Sequence, residues 1–200
     1  MINPEVIIRL DVPKKYVHSK SVTNGDEIMS QQMKCYSIQA IGQDSHRFVD
    51  QDDSKPLILG GVTIDNCPGL LGNSDADVLL HALTNAISGI TCKPILGAVA
   101  DELCLEHGIT DSKAYLELAL ADLVELDYQI LHISFTVQAK KPKLLPYIDQ
   151  IRESIAEITD LKPEQVMLTA TSGEGLTQFG QGKGIESFCI ISVVPLDESE

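Results

Sequence analysis

In IGQDSHRF, residues 41–48, a carboxylate and an imidazole stand two positions apart at the end of an apolar run. Side chains at i and i+2 of a strand leave from one face, so Asp44 and His46 can be aimed at a common point. His81, inside SDADVLLHAL, supplies a second imidazole from a helical pattern. One carboxylate and two imidazoles with an open fourth position make the donor set of a catalytic zinc site rather than a structural one. Spacing alone favours a plainer arrangement: a strand-end aspartate and a hydrogen-bonded core histidine.

Two further stretches carry phosphate chemistry. AKKPKLLP, residues 139–146, sets lysines around a proline directly after a strand, a stiff basic loop suited to phosphate or simply a solvated turn. TATSGEGLTQFGQGKG, residues 169–184, offers small hydroxyls and free backbone N–H groups that can line a phosphate. Glu174 within it suits a hard divalent ion such as Mg2+, and the same loop also fits a flexible connection between strands.

These groups need a scaffold, and the hydrophobic periodicity describes one. KCYSIQAIGQ alternates as a strand, and LILGGVTI reads as a second strand containing a glycine pair. A helix follows from Ser74 as N-cap, with Asp77 completing a capping box. KPILGAVADELCLEHG predicts a short helix stopped by Gly108, and DSKAYLELALADLVELD a longer one capped by Asp111. ILHISFTVQA is the clearest strand by alternation and β-branched content. LPYIDQIRESIAEIT is an amphipathic helix, and EQVMLTATS and ESFCIISVV are strands. The order β-β-α-α-α-β-α-β-β predicts an α/β domain with helices packed against one sheet.

The bulk properties exclude several classes. Two hundred residues make about one domain, and 44% apolar residues suffice for a single core. No apolar run approaches the roughly 18 residues of a membrane span. A net charge of -14 argues against a nucleic-acid or anionic-membrane surface, so any phosphate site must concentrate positive charge locally, for which a metal ion serves. Five scattered cysteines without a CxxC pair point to reduced thiols and a cytoplasmic setting. The first 20 residues lack the marks of an export or transit signal. Residues 1–32 stand apart as an extension without an assigned role, polar and turn-rich enough to lack fixed structure in part, although VIIRLDV has a strand pattern. The main domain is expected over 33–200.

Taken together, IG-x-D-x-H-R-F, LILGGV, SDADVLLHAL, A-x-x-PK-x-x-P and ATS-x-E, in this order from about Cys35 to Pro195, resemble the 2-C-methyl-D-erythritol 2,4-cyclodiphosphate synthase family of the non-mevalonate isoprenoid pathway. The resemblance implies a single four-stranded mixed sheet with helices on one face (α/β, α+β-like). It further implies a homotrimer around a central cavity, with active sites between subunits. By similarity Asp44, His46 and His81 are zinc ligands, one ion per subunit, and Glu174 holds Mg2+ or Mn2+ that arrives with substrate. Ser74 matches a serine over the substrate's 2-phosphate, next to Asn73. Ala139, Lys143, Leu144 and Leu145 match the segment enclosing the cytosine, and Thr171 and Ser172 the hydroxyl pair at the diphosphate. Ser74, Lys143, Ser172 and Glu174 are the implied catalytic set. The implied activity is that of a phosphorus–oxygen lyase: the 2-phosphate attacks the β-phosphorus of the cytidine diphosphate arm and expels CMP.

This chain also departs from the family pattern. Asn73 replaces a histidine, Ala98 an aspartate that bonds substrate hydroxyls, and CLEHG an F-P-D segment. Gln181 replaces an arginine that faces the trimer cavity and binds an isoprenoid phosphate. The competing expectation is therefore a non-catalytic or altered-substrate paralog, a zinc-bound trimer that binds a cytidine nucleotide or isoprenoid phosphate.

Overall fold

The computed structural model describes residues 37–50 and 52–196. The expected boundary at residue 32 and the VIIRLDV strand lie outside the described residues, as does Cys35. Among the described residues, six strands and four α-helices follow in chain order. They are β1 (Ile38–Arg47), β2 (Pro56–Leu59), β3 (Val62–Pro68), α1 (Val78–Thr91), α2 (Ala98–Leu105), α3 (Ser112–Glu125), β4 (Tyr128–Gln138), α4 (Ile148–Thr159), β5 (Val166–Thr171) and β6 (Gly184–Pro195). Four strands form one mixed sheet in the order β1-β6-β4-β5. β6 runs antiparallel to β1 and β4, while β4 and β5 are parallel, joined through α4 as a crossover requires. The expected four-stranded mixed sheet is present.

Alternation along the strands sends Ile133, Phe135, Val137, Ile185, Cys189, Ile191 and Val193 into the core. α1 lies on β1 and β6 and is buried along most of its length, from Val78 to Ile87. The amphipathic α4 buries Ile151, Ile155 and Ala156, one stripe of a 3.6-residue period, against β5. On the opposite face the sheet keeps apolar groups open to solvent. Ile41 is paired with Ile190, and Ser134 lies between Ile190 and Met167, so Ile41, Ile190 and Met167 share that face. Phe188, two residues from Ile190, joins them.

Two expectations are corrected. LILGGVTI is not one strand but a hairpin, β2–β3, with Gly60 and Gly61 at its turn. Both have positive φ (61° and 77°), the conformation a two-residue hairpin loop demands of both central residues. The helix cap is Asp77, not Ser74. Ala76 has φ 60°, a left-handed conformation that breaks the helix before Val78. The Asp77 carboxylate then accepts from Leu79 N (3.0 Å) and Leu80 N (3.2 Å), while Ser74 Oγ accepts only from Ala76 N (3.1 Å). Asp111 caps α3 as expected, through Lys113 N at 2.9 Å. Among the described residues, no helix is long and apolar enough to cross a membrane.

Asp77 is wholly buried and also accepts from Gly61 N at 2.8 Å, tying the hairpin turn to the start of α1. Burial pushes its pKa from 3.8 up to about 6, against the backbone donors that favour the charged form. The folded state thus holds this proton more tightly, so the group's contribution makes stability fall as pH rises from about 4 to about 6. Asp77→Ala is expected to lose about 2 kcal/mol at pH 7, from the lost cap and an orphaned Gly61 N–H, and to remove that pH-dependent component. Urea unfolding at pH 4, 5, 6 and 7 measures both; unchanged midpoints throughout would contradict the assignment.

Candidate metal and phosphate site

The site is built where β1 meets α1. Ala40, Gly42, Asp44 and His46 alternate onto the helix-facing side of β1. Gly42 is what allows contact: a Cβ there would lie 2.0 Å from the Ala82 carbonyl oxygen and 2.4 Å from Ala86 N. A glycine inside a strand pattern commonly marks such a close backbone approach. One alternation along from Gly42, Asp44 meets His81, the residue before Ala82.

Asp44 Oδ2 lies 3.1 Å from His46 Nε2 and 2.9 Å from His81 Nδ1. The candidate ligand atoms all fall within 4.8 Å of one another, so sequence and structure agree that these three residues converge. Each ring's far nitrogen has its own partner: His46 Nδ1 is 2.7 Å from the Leu71 carbonyl, and His81 Nε2 is 2.8 Å from Ser112 Oγ. A carbonyl only accepts, so His46 Nδ1 carries its proton and Nε2 is the atom left for a ligand.

The donor set fits a divalent metal. Two imidazole nitrogens point at one carboxylate oxygen, an arrangement that without a metal needs at least one shared proton. Burial alone would raise the Asp44 pKa, but hydrogen bonds from His46 and His81 and their charges outweigh it and hold the carboxyl well below its usual range. The His46 pKa is raised above 6.5, first by its hydrogen bond to Asp44, against burial. A metal must displace that proton. Apparent zinc affinity is therefore expected to fall about tenfold per unit as pH drops below the His46 value, with Asp44 ionised throughout. Competition titrations against a chromophoric chelator at pH 6, 7 and 8 measure the slope; a flat profile would contradict it.

A second group gathers at the C-terminal ends of the parallel strands β4 and β5, where Gln138 pairs with Thr171. Ala139 N donates to Thr171 O at 3.0 Å, bringing the basic loop beside the hydroxyl loop. Ser172 Oγ donates to Glu174 Oε1 at 3.1 Å, and Thr171 Oγ1 accepts from Gly173 N at 3.2 Å. Lys143, Thr171 and Glu174 are exposed. Leu145 is 81% exposed, whereas Leu144 is in the core at 4%, so any ligand contact by Leu144 falls to its main chain. A cavity of about 790 Å³ adjoins His46, lined among others by Arg47, Phe48, Lys141, Phe179 and Lys183. Lys141 Nζ lies 5.1 Å from the Phe48 ring centre, a cation–π distance. Basic groups therefore stand beside the Asp–His–His trio despite the chain's overall charge.

Asn73 is exposed and Ser74 half-buried in the loop before α1. That loop is clamped by Lys55, whose ammonium donates to Gly72 O at 3.0 Å and Ser74 O at 2.5 Å. Ala98 is exposed at the first position of α2, where it offers no polar side chain. Sequence reasoning did not single out Gly42, Lys55, Asp75 or Ser112. Only Gly42 carried a local signal, a glycine in the interior of an alternating strand.

A mixed-sheet α/β domain sets an Asp–His–His trio with the donor set of a metal site between its edge strand and the helix packed on it, with a hydroxyl- and glycine-rich loop suited to phosphate at the sheet's end. The chain belongs to the YgbB family, whose profile matches residues 38–194. It is 49% identical over 154 residues to the 2-C-methyl-D-erythritol 2,4-cyclodiphosphate synthase of Chlamydia trachomatis serovar A, covering 77% of this chain and 86% of that protein. It is 50% identical to the Chlamydia muridarum protein of the same name, with the same coverage. Among solved structures, the IspF–CDP complex of Plasmodium falciparum matches with a TM-score of 0.70 and 25% identity, over 80% of this chain and 97% of that one. The bifunctional IspDF of Campylobacter jejuni matches with a TM-score of 0.75 and 27% identity, over 82% of this chain and 44% of that longer protein.

Proposed function

We propose that this chain converts 4-diphosphocytidyl-2-C-methyl-D-erythritol 2-phosphate into 2-C-methyl-D-erythritol 2,4-cyclodiphosphate and CMP. The carrying observation is that the candidate ligand atoms of Asp44, His46 and His81 lie within 4.8 Å of one another, in a chain about half identical to named synthases along most of their length. An oxygen of the 2-phosphate bonds to the β-phosphorus while the bridge between the α and β groups breaks, and CMP leaves with that bonding pair. Such a reaction asks for positioning and charge neutralisation, so no side-chain nucleophile is required.

Asp44, His46 and His81 would hold zinc, one ion per subunit, and Glu174 would hold Mg2+ or Mn2+; when bound, these ions polarise the phosphorus centre and neutralise the departing phosphate. The remaining work belongs to the chain's own groups. Ser74 Oγ and the Asn73 amide hold the 2-phosphate, in a loop kept in shape by Lys55. Asn73 bonds without adding charge. Thr171 and Ser172 donate to the diphosphate, and Lys143 supplies positive charge. Ala139, Leu145 and the main chain at Leu144 enclose the cytosine.

The chain would act as a homotrimer with sites between subunits, the metal trio of one facing the Lys143–Glu174 group of the next. The apolar, solvent-exposed patch of Ile41, Met167, Phe188 and Ile190 supports burial of that sheet face against other copies. A cytoplasmic setting accords with free Cys67, Cys92, Cys104 and Cys189. Neither a nucleic acid nor a membrane is a partner in this account. The paralog alternative is less favoured because Asp44, His46, His81, Lys143 and Glu174 are all retained. Release of CMP from the substrate, dependent on both metals, tests the proposal; metal-loaded protein that leaves the substrate intact would overturn it.

A further inference from the structure

Behind His81, on the side away from Asp44, lies a polar chain that runs from the buried Ser112 to the half-buried Asp75. Ser112, the first residue of α3, is wholly buried, and its Oγ sits 2.8 Å from His81 Nε2. The same hydroxyl is hydrogen-bonded to Asp75 Oδ1. Asp75 also accepts from Ser112 N at 3.1 Å through Oδ2 and from Asp77 N at 3.1 Å through Oδ1. Its own N–H donates to Thr110 O at 2.8 Å, so the loop before α1 and the start of α3 are locked together.

We propose that Asp75 and Ser112 are positioning residues, a hydrogen-bond relay that fixes the tautomer of His81 and so presents its Nδ1 lone pair to the metal. The metal-site assignment of Asp44, His46 and His81 underlies this step. Donor counting carries it. Both Asp75 oxygens accept from backbone N–H groups, and a carboxylate only accepts. Ser112 has one hydroxyl proton, which therefore points at Asp75. Its oxygen is then an acceptor toward His81, so Nε2 carries the ring proton. In the neutral ring the lone pair falls on Nδ1, the atom 2.9 Å from Asp44 Oδ2. The opposite tautomer would leave Ser112 Oγ without a donor at 2.8 Å, whereas the Nδ1 lone pair of this one faces Asp44 Oδ2 and is satisfied once a metal ion lies between them. The Leu71 carbonyl performs the same service for His46, from the opposite ring nitrogen. The two imidazoles are thus keyed by different devices, a main-chain carbonyl for Nδ1–H and a hydroxyl–carboxylate pair for Nε2–H. Outer partners of this kind orient ligating imidazoles, and their loss typically costs 10- to 100-fold in metal affinity.

The test uses the full chain, stripped of metal, and zinc alone as the probe. Long-range proton–nitrogen spectra of the histidine-labelled protein reloaded with zinc at pH 8 should show His81 as the Nε2–H tautomer, assigned by comparison with His81→Ala. Ser112→Ala should lose zinc affinity, by chelator competition, about 10- to 100-fold with the fold retained by circular dichroism. An Nδ1–H tautomer in the unaltered protein overturns the relay, and so does full zinc affinity in folded Ser112→Ala. The unaltered protein's spectrum decides the matter even if the variant does not fold. Failure of the unaltered protein to bind zinc would instead remove the metal-site assignment, an outcome the tautomer spectrum does not mimic.

Discussion

His81→Ala is expected to leave a folded protein that neither retains zinc nor turns over substrate. The variant removes one of three donors and leaves Asp44 and His46, two ligands from a single strand, to hold an ion alone. The loss should well exceed the roughly 100-fold typical of removing an outer partner, because a direct bond disappears rather than its support. It also removes the group from which Ser112 Oγ accepts and leaves a small cavity there, although the hydroxyl keeps its bond to Asp75; that cost is on the order of 1–3 kcal/mol, within reach of a stable domain. Metal content after dialysis, measured by atomic emission against the unaltered protein, gives the answer. Undiminished zinc in the variant would refute the ligand assignment.

Gly42→Ala is expected to damage stability and metal binding together. The new methyl would meet backbone on every side: Ala82 O at 2.0 Å, Ala86 N at 2.4 Å and the Asn85 carbonyl carbon at 3.0 Å. No flexible side chain can yield, so α1 must draw back from β1 by about 1 Å or more to restore ordinary contact distances. α1 carries much of the core, including the wholly buried Leu79, Leu80, Leu83 and Ile87. A loss of about 3 kcal/mol or more follows, at the top of the range for overpacked cores. The same retreat pulls His81 from Asp44, whose 2.9 Å contact cannot survive it. Urea unfolding and zinc titration report the two effects. A variant that kept both its unfolding midpoint and its zinc affinity would show that β1 and α1 are not packed as described.

What was legible in the sequence tracks how local each cause is. Asp111 as a cap, the alternation of ILHISFTVQA and the stripe of Ile151 and Ile155 are set within a few residues, and each element stands where its pattern implies. Asp44 and His46 share a strand face for the same reason. The β2–β3 turn was missed because apolar residues run across Gly60–Gly61, while the deciding feature is a pair of positive φ angles. The start of α1 was placed at Ser74 because S-x-x-D imitates a capping box, whereas the left-handed Ala76 hands the cap to Asp77. Asp75 and Ser112 are 37 residues apart, and only the docking of α3 beside α1 makes them a pair. Lys55 likewise meets Ser74 across 19 residues, through the hairpin between them.

The central claim, that this trio and these loops serve a cyclisation releasing CMP, is tested most directly by phosphorus NMR. Purified protein, zinc, Mg2+ and 4-diphosphocytidyl-2-C-methyl-D-erythritol 2-phosphate are incubated together and followed in time. The account predicts that the substrate's three phosphorus signals give way to two coupled resonances of a cyclic diphosphate and one of CMP in equal amounts, and that the three substrate signals persist when magnesium or zinc is withheld. Three unchanged signals in the presence of protein with zinc bound would contradict it.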